Sequence, residues 1–448
     1  MQRSSVVVLG ALVLAVQAAA QEPAKIAVET YRLANGLTVI LAPQRNGAQV
    51  VAVDVWYDVG SRNEVRGRSG FAHLFEHMMF QGSANVKKGE FLQLVQRAGG
   101  SLNGSTADDR TNYYETLPSN RLNLGLWLEA DRMRSLAVTP DNLDNQREVV
   151  KEERRLRVDN QPYVAAIVDG LTALYDSTSC FPYAHNTIGS MADLDAARFE
   201  DVKAFHDLYY KPNNAILTVV GDFDPAEAKQ LIQQYFGSIP RGETPPPVVC
   251  EARFSTGQLR QRFADPKATL PAVVHAFRIP PVADADYPAL ELLATIIGQG
   301  ESSRFNRVLA RERKAAVAAQ AAANPFGPRR GPGVFFALAV ANQGVSIDSL
   351  DALLAAEIAK VATDGVTDEE LTKARNQYRA QIIDRRQRAF FVAEELQAAH
   401  MFGGTPEAIN TALDRYMAVT VDDIKRVAAR YLVPANSLIL IVTAEAAS

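Results

Sequence analysis

Apolar and polar residues alternate over 50–59, the period of a half-buried strand, and Asn35-Gly36 stands between two apolar runs as a hairpin turn. The period then changes. Residues 70–81 and 88–98 read as helices, 101–106 and 111–117 as strands, and 121–135 and 143–157 as longer helices. Strands that pair first and helices that follow predict an α+β domain, with helices packed on one face of a mostly antiparallel sheet.

The pattern recurs. A gapless shift of 222 residues lays 200–221 (EDVKAFHDLYYKPNNAILTVVG) over 422–443 (DDIKRVAARYLVPANSLILIVT). Asp201/Asp423, Lys203/Lys425, Tyr209/Tyr431, Pro212/Pro434, Asn214/Asn436 and Val220/Val442 are identical, and each copy reads as an amphipathic helix, a Pro-Asn turn and a buried strand. Between the copies lies a proline-rich run, 239–247 (IPRGETPPP), of the kind that links domains stiffly. A chain of 448 residues is too long for one ordinary core, so two homologous domains are expected, at 21–242 and 243–448.

Composition narrows the class. Hydrophobic residues make up 47% and charged residues 22%, which favours neither disorder nor a membrane bundle, and a net charge of -4 gives no general attraction to nucleic acid or anionic membranes. Arg3, the apolar run 6–16 and Ala18-Ala19-Ala20 have the form of an export signal at 1–20 cleaved near Ala20. A periplasmic location follows if the source is Gram-negative. No later stretch nears roughly 18 uninterrupted apolar residues, so no membrane span is expected. Cys180 and Cys250 would then sit in an oxidising compartment, where a disulfide and two free thiols are equally open.

Two of the six histidines stand in the stretch AHLFEHM, residues 72–78. On a helix His73 and His77 share one face about 5 to 6 Å apart, and Glu76 falls in the same arc, while Leu74, Phe75, Met78 and Met79 lie outside it. His-x-x-Glu-His is the inverted zincin motif. A catalytic zinc site takes three protein ligands and leaves one position open. Residues 143–157 offer Glu148, Glu152 and Glu153 as the third. The apolar residues Leu143, Val149, Val150 and Leu156 average to a direction within about 10° of Glu153, whereas Glu152 lies roughly 110° away. Glu153 is therefore expected to face inward and to meet a cation, an ion pair with a nearby arginine being the competing reading, and Glu148 and Glu152 to be solvated.

His73-Leu74-Phe75-Glu76-His77, followed after about seventy-five residues by Glu153, resembles the pitrilysin family of metallopeptidases, and specifically its half-length bacterial and processing-peptidase branch. Matching segments include 99–106 (GGSLNGST), 183–189, 211–214 leading to 220–222, and Ser302-Ser303-Arg304-Phe305, so the resemblance covers essentially the whole mature chain. It implies a half-clamshell of two domains, one zinc ion on His73, His77 and Glu153, and Glu76 as the general base for peptide-bond hydrolysis. Residues 101–106 would be an edge strand to which an extended peptide adds, with Asn103 and Gly104 touching substrate. The stretch lacks the ending of a phosphate loop, which excludes nucleotide binding there.

The second half departs from the pattern. A shift of 218 sets Glu291, Ala294 and Thr295 opposite His73, Glu76 and His77, so no second metal centre is expected. Active full-length relatives carry an assisting arginine and, seven residues on, a tyrosine; here Ala310 and Val317 occupy those positions, and Arg311 is one residue out of register. Gln146 stands where many relatives place an acid. The resemblance therefore implies a heterodimer, rather than a homodimer, with a metal-less homologue that supplies the missing pair. A non-catalytic peptide-binding subunit is the alternative, and a closed structural zinc is disfavoured by the three-ligand set. His206 is expected to pack or lie at the surface, and His185, in a loop, is a weaker candidate for substrate contact. The run 384–388 (DRRQR) reads as an exposed helix face or a subunit contact.

Overall fold

The computed structural model describes residues 24–45, 47–251, 257–325 and 327–444; the expected export signal at 1–20 lies outside them. β1 (Glu29–Arg32), β2 (Thr38–Pro43), β3 (Val50–Tyr57), β4 (Ser101–Thr106), β5 (Thr111–Pro118) and β6 (Ala215–Gly221) form one sheet in the order β1-β2-β6-β3-β5-β4. β7 (Leu259–Ala264), β8 (Ala272–Ile279), β9 (Ala316–Ala323), β10 (Gly333–Ala341) and β11 (Ser437–Thr443) form a second, in the order β7-β11-β8-β10-β9. Neighbours run antiparallel except β2 beside β6 and β7 beside β11. The β1–β2 turn is closed at Gly36, whose φ of 95° is left-handed.

The internal repeat is structural. Helices Phe199–Tyr209 and Val421–Tyr431, turns Pro212–Asn214 and Pro434–Asn436, and strands β6 and β11 begin and end 222 residues apart. β3 and β8 keep the same shift. The repeated asparagine earns its place as a brace: Asn214 donates to the carbonyls of Asp58 and Tyr209, and Asn436 to those of Arg278 and Tyr431.

The first sheet packs one face on its own helices, including α1 (Phe71–Met78), α2 (Glu90–Arg97), α3 (Leu122–Ser135) and α4 (Pro140–Arg154). Its other face is also covered. Ile40, Ala42, Ala52, Ile216 and Val220 meet Val392, Ala393 and Leu396 of the helix Ala389–Gly403, which comes from the second half. The second sheet receives the reverse favour: Val274, Ala276, Leu438 and Leu440 meet Leu174 and Tyr175, with Ile167 and Leu171 of the helix Val164–Leu171 beside them. This exchange is why β3 is buried on both faces instead of alternating. Cys180 and Cys250 are joined in a disulfide, which ties the segment after the proline run to the chain that covers the second sheet.

Candidate metal centre

α1 has a packing side and a chemical side. Phe71, Ala72, Leu74, Phe75 and Met78 are buried, and His73, Glu76 and His77 are partly open. α4 starts on a Thr139 hydroxyl that accepts the Asn142 N–H, with Pro140 in the first turn. It carries Glu153 to α1. Glu153 Oε2 lies 3.0 Å from His77 Nε2 and 3.7 Å from His73 Nε2. One donor atom from each of the three lies within 4.8 Å of the others, and this is the one such group among the described residues.

Those separations suit a single ion. Ligand atoms about 2.0–2.2 Å from a tetrahedral zinc stand roughly 3.3 Å apart. The donor chemistry fits as well. Burial, and then the neighbouring His77, push His73 down to about 4, so its ring is neutral. The hydrogen bond from His77 holds the Glu153 carboxyl below its usual range against burial, with the charge of Arg157 assisting. Arg157 Nη1 takes the other oxygen, Oε1, at 2.9 Å, which leaves Oε2 turned to the imidazoles.

Glu76 lies on the same turn but outside this cluster. The Thr106 hydroxyl donates to its Oε2 at 2.6 Å. Burial raises the Glu76 carboxyl above its ordinary value, and the Thr106 bond works the other way. Gly104 is small for a reason: a Cβ there would sit 3.2 Å from Glu76 Cγ and 3.2 Å from Tyr113 Cδ1.

β4 ends its sheet, as an edge strand should. The Ala107 N–H donates to Arg110 O, so Ser105 opposite Asn112, Asn103 opposite Tyr114 and Ser101 opposite Thr116 are the hydrogen-bonded pairs. The main-chain groups of Leu102, Gly104 and Thr106 consequently face the open edge. Strand alternation puts the Gly104 and Thr106 positions on the face of Glu76, and the Asn103 side chain on the opposite face beside Tyr114.

The remaining expectations sort cleanly. Glu148 pairs with Lys151 and Glu152 with Arg155, both on the outer face of α4. Leu143 and Val150 are buried, but Val149 and Leu156 are exposed, at 43% and 55%. They flank Glu153 at helical spacing and do not face the core. Gln146 is buried and donates to Asn145. In the second half Glu291 accepts from the Tyr416 hydroxyl, Val317 is exposed on β9, and Arg311 pairs with Glu301. His185 is 3.0 Å from the buried Glu64, His206 stacks on Phe75, and His275 meets Asp351. Arg385 and Arg386 pair with Glu395 and Arg388 with Asp384, all within this chain. Thr106 and Arg157 are the site neighbours that the spacing of residues did not single out. The Thr106 contact is visible only once β4 is placed against α1, whereas Arg157 stands four residues after Glu153, a spacing that could have found it.

Residues 39–173 match the family model described as insulinase, peptidase family M16, and 197–378 match the peptidase M16 inactive domain. The zinc protease PqqE of Helicobacter pylori is 32% identical over 414 residues, 90% of each chain. A mitochondrial-processing peptidase subunit beta from Blastocladiella emersonii is 27% identical, over 90% of this chain and 85% of its own. The crystal structure of a protease from Helicobacter pylori superposes with a TM-score of 0.88 at 30% identity, covering 94% of this chain and all of that one. By fold, sequence and the two matched models together, the chain is a half-length member of peptidase family M16.

Proposed function

We propose that the chain is a zinc-dependent endopeptidase subunit that cleaves peptides or unfolded segments. The observation that carries this reading is the convergence of His73, His77 and Glu153, with Glu76 on the same turn and outside the ligand set. A zinc ion held there would supply a Lewis acid able to lower the pKa of water to about 7. Glu76 would take a proton from the attacking water and return it to the leaving amine, with Thr106 steadying its carboxylate. The free edge of β4 would hold the substrate as an added strand through Leu102, Gly104 and Thr106, with Asn103 and Gly104 near the bound chain.

Glu76→Gln should abolish hydrolysis while leaving zinc binding and thermal stability intact. Turnover near the wild-type rate in that variant would show that Glu76 is not the base, whereas peptide binding with no hydrolysis by the wild-type chain would assign it to binding without cleavage instead.

Ala310 and Val317 support a partner that brings an arginine and a tyrosine to the cleft, so the working form is a heterodimer with a metal-less homologue. The expected result is weak cleavage by the purified chain and at least tenfold more on adding such a homologue. Full activity alone would remove the need for it. The disulfide supports export to an oxidising compartment, consistent with a periplasmic site of action.

A further inference from the structure

The first turn of α1 is held by a charged pair that the metal site does not use. α1 has no side-chain cap of its own, because Gly70 occupies that position in the left-handed region at φ 88°. The cap comes from elsewhere. Glu64, whose side chain is fully buried, accepts the Gly70 N–H at Oε2 and the Ala72 N–H at Oε1, both at 2.8 Å. Two of the amides that a helix leaves unpaired at its start therefore end on one carboxylate, and the helix dipole favours the negative charge there.

His185 completes the arrangement from 121 residues away. Its Nε2 lies 3.0 Å from Glu64 Oε2 and 3.0 Å from Ser61 O, and its Nδ1 lies 3.0 Å from Phe181 O. Each ring nitrogen faces acceptors only. A neutral imidazole carries one lone pair, which here would point at an oxygen, whereas the imidazolium donates in both directions. Phe181 stacks on the ring at 4.6 Å with a 10° tilt. The other charged groups nearby are Asp108, which accepts from Ser61 Oγ, and Arg66, whose guanidinium lies over Phe181. Burial opposes the charge on His185, but the hydrogen bond and charge of Glu64, with the two carbonyls, raise it above the ordinary histidine value. Burial likewise raises Glu64, and His185 and the two amides counter that.

We propose that His185 and Glu64 are a positioning pair for the helix that bears His73 and His77: the imidazolium fixes the Glu64 carboxylate on the amides of Gly70 and Ala72, and this sets the direction in which the two ligands leave the helix. The reach to the ligands is short, since Ala72 directly precedes His73. Neighbouring contacts anchor the same turn to the loop that carries His185 and to the short helix Met191–Asp195 that follows it. Ser69 N–H and Oγ both donate to Asp193, and a Cβ on Gly70 would stand 2.8 Å from Ile188 O. The inference rests on the zinc-ligand reading of His73 and His77, but the pair itself can be tested without turnover.

The sign of the pH effect follows from the direction of the His185 shift. A histidine raised in the folded state gives its support in full at low pH and loses it as pH rises through the folded-state value. The experiment is an NMR titration of His185 in the wild-type chain, with amide exchange at Gly70 and Ala72 and zinc affinity measured for wild type, His185→Gln and Glu64→Gln. Expected are a His185 midpoint above the ordinary value of about 6.5, returning toward it in Glu64→Gln. Also expected are a roughly tenfold loss of zinc affinity in His185→Gln and faster exchange at both amides. In wild type, protection of those amides, corrected for intrinsic exchange, should fall as His185 deprotonates, and in His185→Gln it should be flat with pH. A wild-type midpoint at or below the ordinary value overturns the proposal even if the variants fail to fold, and so do unchanged exchange and zinc affinity in a folded His185→Gln. An absence of peptide cleavage in every form would instead count against the peptidase reading.

Discussion

Thr106 donates its hydroxyl proton to Glu76 Oε2 across 2.6 Å, and it does so from the last residue of the strand proposed to hold substrate. One side chain thus joins the peptide-binding edge to the proposed base. A hydrogen bond to a charged group contributes about 1.5–3 kcal/mol, so Thr106→Val should lower kcat about tenfold or more with KM little changed, and Thr106→Ser should recover most of it. The pH profile provides a second reading. Burial already raises Glu76 and the Thr106 bond opposes that, so its removal should move the acid limb of the rate profile to higher pH, because the base acts only when ionised. A Thr106→Val protein with unaltered kcat and profile would show that Glu76 is oriented by other groups.

Among the elements, β4 and α4 decide the geometry of the cleft. If the main-chain groups of Leu102, Gly104 and Thr106 face the open edge, proline at 102 removes a donor that the proposed substrate strand would use and spares the ladder to β5, while proline at 103 breaks that ladder. Leu102→Pro should therefore stay folded and raise KM, and Asn103→Pro should lower the melting temperature by several degrees; equal damage from both would refute the register. The helical period made α1 legible in the sequence, because His73, Glu76 and His77 share an arc whatever the fold around them. The 222-residue shift likewise survived, since helix, turn and strand are local patterns that duplication copies whole. On α4 the period singled out Glu153, the glutamate that the fold brings to His73 and His77, through a partly mistaken premise. Val149 and Leu156 lie near its direction, but that stripe borders the cluster of His73, His77 and Glu153, and Leu143 and Val150 serve the core. Thr106 with Glu76, and His185 with Glu64, join residues 30 and 121 positions apart, and no local period reports such contacts.

Across the whole molecule, each half covers the outer face of the other's sheet, so neither core is complete without both. One seam of the junction sets two carboxylates close together. Asn112 Nδ2 donates to Asp54 on β3 at 3.2 Å and to Glu394 on the helix from the second half at 2.7 Å, and Trp56 donates to the same Glu394 oxygen. Asp54 Oδ2 is buried with no hydrogen-bond partner among the described residues. Burial raises the Asp54 carboxyl well above its ordinary range, and the charge of Glu394 raises it further. An acid raised on folding stabilises the protein fully below its unfolded value of about 3.9 and loses that contribution as pH climbs through the folded value. The seam should therefore weaken toward alkaline pH and strengthen toward acid, the reverse of a carboxylate held by an arginine. Asp54→Asn keeps an acceptor for Asn112 and replaces the charge with an amide that can donate toward Glu394. Relative to wild type it should gain about 1 kcal/mol at pH 8, a few degrees in Tm, with the advantage shrinking as pH falls. Melting curves across pH decide the matter. A variant that is less stable than wild type at pH 8, or whose difference does not change with pH, would mean that Asp54 is ionised and satisfied where it stands, and that this seam does not make the junction sensitive to pH.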